Sequence, residues 1–361
     1  MRKKQQPGVI IYRPIDESGD SHRRLRDSGC QVAIADPAED LDRALARLSA
    51  VHALLGSSLH GERLDRARIA GLPELRIIAK YTIGVDDIDV AAASEFGVLV
   101  THSPTEANWG GVAEGTLALM LALLKKIERR NAHVRQGAWR ANALQGTYLG
   151  ARDDGYAGLT IGIIGFGRIG RRVAELLAPW KVRLIATDPY VAAEVFERYS
   201  VAAVGLDELL ARADVVSVHC LLSDETLRLI DAAKLRLMRP DAILINTARG
   251  KIVDVDAVCD ALDAGRLGGA AFDVLPEEPP PPDARILATD DRVILSPHMV
   301  AANRGGTLAA AIPLATQAVV DALAGRVPQH VYNEAVVEVW RSRFADNSLL
   351  AKQGREDTES E

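Results

Sequence analysis

Three polar side chains, Arg249, Glu278 and His298, each come shortly after an apolar segment that predicts a buried β-strand. In a parallel α/β sheet, ligands bind at the carboxyl ends of the strands, so these side chains are candidates for chemistry. A guanidinium can hold a carboxylate through two hydrogen bonds, an imidazole can give a proton to a carbonyl oxygen, and a neighbouring carboxylate keeps that imidazole charged. Singly, each could be an ordinary loop residue. Together they supply what hydride transfer to a 2-oxo acid requires.

A glycine motif predicts the place of the hydride carrier. The apolar segment Thr160–Ile164 leads into Gly165, Gly167 and Gly170, in the pattern Gly-x-Gly-x-x-Gly, and a helical pattern follows. The first glycine allows a tight turn, the second lets a pyrophosphate approach the backbone, and the third packs the helix on the strand. The motif is therefore typical of a dinucleotide site, although alone it is a weak signal.

Asp188 strengthens this interpretation and indicates the cofactor. It ends a second predicted strand about 20 residues after the motif, where a carboxylate can accept hydrogen bonds from the adenosine ribose. The alternative is that Asp188 only opens an Asp-Pro turn with Pro189. A carboxylate here repels a 2′-phosphate, and no arginine follows directly to bind one, so we expect NAD as the cofactor.

Alternating strand and helix patterns predict an α/β fold. Strand patterns lie at 9–12, 32–35, 53–55, 75–79 and 98–100, and again at 160–164, 182–188, 215–218, 242–245, 269–272 and 293–295. A doubly wound parallel sheet is expected for the second set, because right-handed β-α-β crossovers require it. Helical patterns cover 112–135 and 301–324, the latter with Pro313 as its kink or its start. The charged end of the chain, 341–361, is expected to be a disordered tail.

The composition excludes several classes of protein. The net charge of −6 gives no reason to expect binding to nucleic acid or to an anionic membrane, and 361 residues suffice for two domains. Cys30, Cys220 and Cys259 show no metal or disulfide spacing. We therefore expect a cytoplasmic protein without a metal site. We also expect no targeting or anchoring segment, because the longest apolar run, 116–124, is too short to span a bilayer.

From about residue 9 to residue 333 the sequence resembles the D-isomer-specific 2-hydroxyacid dehydrogenases, a family that includes phosphoglycerate dehydrogenase and glyoxylate/hydroxypyruvate reductase. The matching motifs are Gly84-Val-Asp-Asp-Ile-Asp89, Val112-Ala-Glu114, Arg135-Gln-Gly-Ala-Trp139, Gly165–Gly170, Ile245-Asn-Thr-Ala-Arg-Gly250, Phe272-Asp-Val with Glu278-Pro279, and Pro297-His298. The resemblance implies two Rossmann-like domains, a doubly wound NAD domain and a smaller flavodoxin-like substrate domain. It also implies that the substrate domain is discontinuous, with residues 1–102 and 302–340, around an NAD domain at 103–301.

The resemblance further implies a role for each matched residue. His298 would be the acid/base, Glu278 its carboxylate partner, and Arg249 the group that binds and orients the substrate. Besides the three glycines, the residues expected to contact the dinucleotide are Arg168, Ile169, Asp188, Thr247, Ala248 and Asp273. A homodimer formed largely by 112–139 is expected.

The predicted substrate loop departs from the pattern of many relatives. Thr82 replaces a glycine, while Ile83 and Gly84 follow as further predicted substrate contacts. Lys80 stands where phosphoglycerate dehydrogenases often carry arginine, which favours a 2-oxo acid with a second anionic group, such as a phosphoglycerate- or hydroxypyruvate-like substrate. The alternative for Lys80 is a solvated lysine.

Other functions share part of this pattern. A non-catalytic NAD-sensing scaffold of the C-terminal-binding-protein type would have the same Arg, Glu and His. Phosphonate dehydrogenase is a further alternative, although its characteristic loop lysine aligns with Ile83. Formate dehydrogenase relatives are disfavoured, since they typically carry glutamine at the position of Glu278.

Overall fold

The computed structural model describes residues 6–36, 39–59, 62–303, 308–345 and 347–350. The chain divides into two compact units, the first formed by 1–107 with 304–361 and the second by 108–303. The sequence predicted that the chain passes from the first domain to the second between residues 102 and 103, and back between residues 301 and 302.

The first unit contains a five-stranded sheet in which all strands are parallel, in the order β2-β1-β3-β4-β5. Its strands are β1 Gly8–Tyr12, β2 Gln31–Ile34, β3 Ala53–Gly56, β4 Ile77–Lys80 and β5 Leu99–Thr101, and its first helices are α1 Asp20–Asp27, α2 Leu41–Leu45, α3 Arg66–Ala70 and α4 Val90–Glu95. The central strands are buried throughout, which explains why they read as continuous apolar runs in the sequence. This strand order is that of flavodoxin-like sheets.

The second unit contains a seven-stranded parallel sheet, in the order β12-β11-β10-β9-β6-β7-β8. Its strands are β6 Thr160–Ile164, β7 Arg183–Thr187, β8 Ala202–Ala203, β9 Val215–Val218, β10 Ile243–Asn246, β11 Gly269–Phe272 and β12 Val293–Leu295. Its helices are α5 Glu106–Lys125, α6 Ile127–Arg135, α7 Arg168–Leu177, α8 Ala193–Arg198, α9 Leu206–Arg212, α10 Ala232–Leu235 and α11 Val255–Asp263. The direction of winding reverses between β6 and β9, so the predicted doubly wound sheet is confirmed and its crevice lies at the carboxyl ends of these strands.

The helix predicted over 112–135 is two helices. Lys126 takes a left-handed backbone conformation, with φ of 52°, and separates α5 from α6. By length and composition α5 could cross a membrane. The expectation that every apolar segment is too short to span a bilayer was therefore wrong. One such helix is weak evidence for a membrane. In this structure Leu119, Met120 and Leu124 of α5 are buried in the core that covers the sheet of the second unit.

The chain completes the first unit with two more helices, α12 Ile312–Leu323 and α13 Val337–Phe344. Pro313 lies in the first turn of α12, so it marks the start of the helix, as one of the two alternatives predicted. The prediction that the disordered tail begins at residue 341 was wrong, because α13 continues to Phe344. Trp340 is fully buried, and its indole N–H donates to the Arg76 carbonyl over 3.0 Å. The rest of the predicted tail, from 351, lies outside the described residues.

Candidate active site

The glycine loop that follows β6 has the geometry of a dinucleotide-binding turn. Gly165 has a φ of +90°, and a Cβ added there would lie 2.4 Å from the Cys220 nitrogen. A Cβ on Gly170 would lie 2.2 Å from the Gly165 carbonyl oxygen, so only glycine lets α7 pack this closely on the loop. A Cβ on Gly167, the N-cap of α7, would meet no atom within 4 Å. This open approach to the N–H groups of a helix N-terminus fits a pyrophosphate.

Asp188 directly follows β7 and is fixed against the glycine loop. One carboxylate oxygen accepts a hydrogen bond from the Phe166 backbone N–H over 2.8 Å, and the other accepts from the Tyr190 N–H over 3.0 Å. The bond to Tyr190 is the turn that the Asp-Pro alternative predicted, so Asp188 both forms a turn and presents a carboxylate beside the loop. That position fits the ribose of a bound NAD.

Two partners of the predicted cofactor residues were not predicted from the sequence. The Arg168 guanidinium lies over the ring of Trp109, 5.4 Å from its centroid. The hydroxyls of Thr247 and Thr116 lie 3.0 Å apart in the interior. Both partners belong to α5, where a threonine at a buried position of an apolar helix was the available signal. Of the other predicted contacts, Ala248 follows β10 and its N–H donates to the Asn246 side chain over 3.1 Å, and Ile169 lies in the first turn of α7.

Strands β10, β11 and β12 are neighbours, and the three predicted catalytic side chains follow their carboxyl ends in that order. His298 Nδ1 lies 2.8 Å from Glu278 Oε2, while Glu278 Oε1 accepts from the Leu275 N–H over 3.0 Å. Since an ionised carboxylate only accepts hydrogen bonds, Nδ1 carries the proton in this pair. The His298 side chain remains 45% exposed, so its other nitrogen, Nε2, is the atom available for proton transfer.

Charge couples these three side chains. The hydrogen bond to Glu278 raises the pKa of His298 above its ordinary value and outweighs the opposing effect of burial. Burial pushes the pKa of Glu278 upward, but the hydrogen bonds from His298 and the Leu275 N–H, together with the positive charges of His298 and Arg249, outweigh burial and lower it. The positive charge of Arg249 favours the deprotonated form of both groups, which places its guanidinium within electrostatic range of the pair. The structure thus brings together the three residues that the sequence selected.

Backbone hydrogen bonds hold His298 in an unusual conformation. Its φ is 56°, a left-handed value that costs a non-glycine residue roughly 1–2 kcal/mol. The Asp273 carbonyl accepts from the His298 N–H over 2.8 Å, and the Asp273 carboxylate accepts from the next two N–H groups, of Met299 and Val300, over 2.9 and 3.1 Å. Asp273 is therefore an anchor of the histidine loop, a role that the sequence did not reveal.

Arg249 is separated from the end of β10 by two residues and is the N-cap of a short 3-10 turn, Gly250–Ile252. The Asn246 side chain donates to its carbonyl over 2.9 Å, and its own guanidinium donates to the Ala248 carbonyl over 2.7 Å. A Cβ on Gly250 would lie 2.0 Å from the carbonyl carbon of Leu275. The turn after Arg249 therefore packs directly against the segment that leads to Glu278, because Gly250 has no side chain. This contact holds the backbone of the arginine next to the backbone of the glutamate segment.

The predicted substrate loop lies in the first unit, after β4. The Thr82 hydroxyl donates to the Gly84 carbonyl over 3.0 Å, the Ser103 N–H donates to the Thr82 carbonyl over 3.1 Å, and His102 Nδ1 lies 3.3 Å from the Ile83 carbonyl oxygen. The loop is thus held by its own side chain and by the chain that follows β5.

Lys80 does not have the predicted position. Its side chain is completely buried, and its ammonium lies 2.5 Å from Asp87 Oδ2 and donates to the Ser57 carbonyl over 2.6 Å. An ammonium that is already paired in the interior has no exposed atom with which to meet a ligand. The sequence offered two interpretations of Lys80, a contact with a second anionic group of the substrate and a solvated lysine. Its burial shows that both were wrong.

The two units and this site define a class: α/β proteins with a nicotinamide-dinucleotide fold and a charged Arg, Glu and His cluster at the carboxyl ends of its strands. Comparison with known proteins agrees. The family described as D-isomer specific 2-hydroxyacid dehydrogenase, NAD binding domain, matches residues 117–300. The chain belongs to this family.

Relatives of the chain carry several enzyme names. It is 33% identical to D-3-phosphoglycerate dehydrogenase of Archaeoglobus fulgidus over 300 residues, which cover 83% of this chain and 54% of that one. It is 37% identical to glyoxylate reductase of Aeropyrum pernix over 289 residues, or 78% of this chain and 84% of that one. The crystal structure of D-lactate dehydrogenase from Aquifex aeolicus, complexed with NAD and lactic acid, aligns with a TM-score of 0.74 at 26% identity and covers 86% of this chain and 94% of its own. The chain spans about half the length of the phosphoglycerate dehydrogenase relatives that it matches.

Proposed function

We propose that this protein is an NAD-dependent dehydrogenase that interconverts a (D)-2-hydroxy acid and the corresponding 2-oxo acid. The observation that carries the proposal is the hydrogen-bonded His298–Glu278 pair, with Arg249 acting on both charges, beside a glycine loop that fits NAD. In the reductive direction, a 2-oxo acid, NADH and a proton give a 2-hydroxy acid and NAD⁺. Names of relatives with different 2-oxo acids support the reaction class and leave the side chain of the substrate open.

Each residue has a defined task in this proposal. Bound NADH supplies the hydride for the carbonyl carbon. Arg249 holds the substrate carboxylate through its planar fork, which orients the adjacent carbonyl. His298 Nε2 gives its proton to the carbonyl oxygen as negative charge develops there, and Glu278 stabilises the imidazolium before the transfer. Substrate contacts from Thr82, Ile83 and Gly84 remain a prediction. We propose no preference for a second anionic group, because Lys80 is buried.

Glu278→Gln is expected to move the high-pH limit of the reductive reaction to lower pH. Reduction needs protonated His298, and its raised pKa in the native enzyme extends the protonated range upward. Glutamine keeps a hydrogen-bond acceptor but removes the negative charge, so the His298 pKa falls and activity is lost at a lower pH. The measurement is kcat/KM for NADH-dependent reduction as a function of pH. An active variant with an unchanged upper limit would show that Glu278 does not set the protonation of His298.

Wild-type protein is expected to prefer NADH over NADPH by at least about tenfold in kcat/KM, or about 1.4 kcal/mol. The Asp188 carboxylate repels a 2′-phosphate. Asp188→Asn, which removes only the charge, should narrow the preference, mainly by improving the KM for NADPH. Equal kcat/KM values for the two cofactors in the wild-type protein would contradict this role for Asp188.

We also propose that the protein is a homodimer that uses α6 and the residues around it. No residue of α6 is buried in the single chain, and Ile127 and Val134, seven residues apart on one face, are each about half exposed. Trp139, shortly after the helix, is 71% exposed. Exposed apolar side chains on and shortly after one helix support an interface there. A cytoplasmic location stays a prediction, supported by three cysteines that are all free thiols.

A further inference from the structure

A buried ion pair closes the base of the predicted substrate loop. Lys80 ends β4, and Asp87 follows the loop, so the two residues flank Thr82–Gly84 in sequence. Their side chains meet at 2.5 Å, with the lysine side chain completely buried and that of Asp87 12% exposed. The contact therefore joins the two ends of the loop.

The pair also ties the loop to the neighbouring strand. The Lys80 ammonium donates to the Ser57 carbonyl over 2.6 Å, and the Asp87 carboxylate accepts from the Leu59 N–H over 2.8 Å. Ser57 and Leu59 both belong to the segment that follows β3. The pair thus connects three segments of the first unit: the end of β4, the residues after the substrate loop, and the segment after β3.

Burial makes each charge depend on the other. Desolvation lowers the pKa of Lys80, and the negative charge of Asp87 opposes this and favours the ammonium. Loss of either partner would leave the other buried without its hydrogen-bonded counter-charge, whereas loss of an exposed pair costs little. The pair is therefore sensitive to single substitutions in a way that the surface pairs of this unit are not.

We propose that Lys80 and Asp87 are positioning residues that hold the Thr82–Gly84 backbone in the geometry needed to bind the substrate. This inference rests on the proposed function, because it takes the loop to be a substrate contact. Backbone groups that bind a ligand must be held within a fraction of an ångström, and a displacement of about 1 Å can cost up to about 100-fold in rate. Lys80 would thus act on the substrate through the loop and without touching it.

The test compares Lys80→Met and the milder Asp87→Asn with a control, Glu95→Gln, which breaks the exposed Arg66–Glu95 pair of the same unit. We expect the first two variants to raise the KM for pyruvate and for a dianionic 2-oxo acid alike, by at least about tenfold, with the Kd for NADH unchanged. Amide hydrogen exchange at 82–85 should become faster in both, and the control should match the wild-type protein. A direct contact between Lys80 and a second anion would instead affect only the dianionic substrate.

An unchanged KM with unchanged exchange at 82–85 would overturn the proposal, even if the melting temperature fell. If Lys80→Met does not fold, the KM and the hydrogen exchange of Asp87→Asn test the proposal instead. If the wild-type protein reduces no 2-oxo acid, the proposed function fails, and hydrogen exchange then still shows whether the pair holds the loop.

Discussion

His298→Gln is expected to lower kcat for the reduction of a 2-oxo acid by roughly 10²–10⁴-fold. The substitution removes the imidazole that is hydrogen-bonded to Glu278, and with it the proton that His298 Nε2 would give to the carbonyl oxygen. Glutamine is similar in size and can still accept or donate a hydrogen bond, so the loss reports proton transfer more than packing. The measurement is single-turnover NADH oxidation under saturating 2-oxo acid.

The Kd for NADH, measured by fluorescence, should stay close to that of the wild-type protein in this variant, because the glycine loop and Asp188 are untouched. A loss of less than about tenfold in His298→Gln would show that another group supplies the proton.

Arg249→Lys is expected to lower kcat/KM for 2-oxo acids by about 10- to 100-fold. Lysine keeps the positive charge but lacks the planar fork that can hold both oxygens of a carboxylate. A lost hydrogen bond to a charged group costs about 1.5–3 kcal/mol, which corresponds to that range. Most of the effect should appear as a higher KM for the 2-oxo acid, with the KM for NADH little changed.

Arg228→Lys is the matched control for this substitution, since Arg228 is an exposed arginine of the same unit paired with Asp254. The control should retain wild-type kcat/KM. If Arg249→Lys also stayed within about twofold of the wild-type value, Arg249 would not be the residue that holds the substrate carboxylate.

Every strand of the two sheets except β8 could be predicted, because these strands are short, apolar and bounded by turn residues. Strand β8 has only two residues, both exposed, and shows no apolar pattern. The predicted runs 215–218, 269–272 and 293–295 agree with β9, β11 and β12 residue for residue. Helices α3 and α4, of five and six residues, were not predicted. Each begins at an aspartate N-cap, Asp65 or Asp89, whose carboxylate accepts from an N–H three residues later. These caps were the available signal.

The break between α5 and α6 could not be read from the sequence. It occurs at Lys126, in a run of charged residues without glycine or proline, so no residue there favours the left-handed conformation that the structure shows.

The charged cluster could be predicted because parallel strands bring their carboxyl ends to one edge of a sheet, so residues distant in sequence become neighbours. The burial of Lys80 could not be predicted. Whether a lysine at the end of a strand is exposed or buried depends on its tertiary partners, here Asp87 and the Ser57 carbonyl. Sequence motifs therefore revealed which chemistry was available, while burial decided which cation could meet a ligand.

The most direct test of the proposed function is NADH oxidation by the purified protein with glyoxylate, hydroxypyruvate, pyruvate, 2-oxoglutarate, phosphohydroxypyruvate and bulky 2-oxo acids. The proposal predicts that at least one of them is reduced to the (D)-2-hydroxy acid, with one NADH consumed per product and with loss of turnover in His298→Gln. A protein that binds NADH through the glycine loop but reduces none of these acids would contradict the proposal and favour a non-catalytic NAD-sensing scaffold.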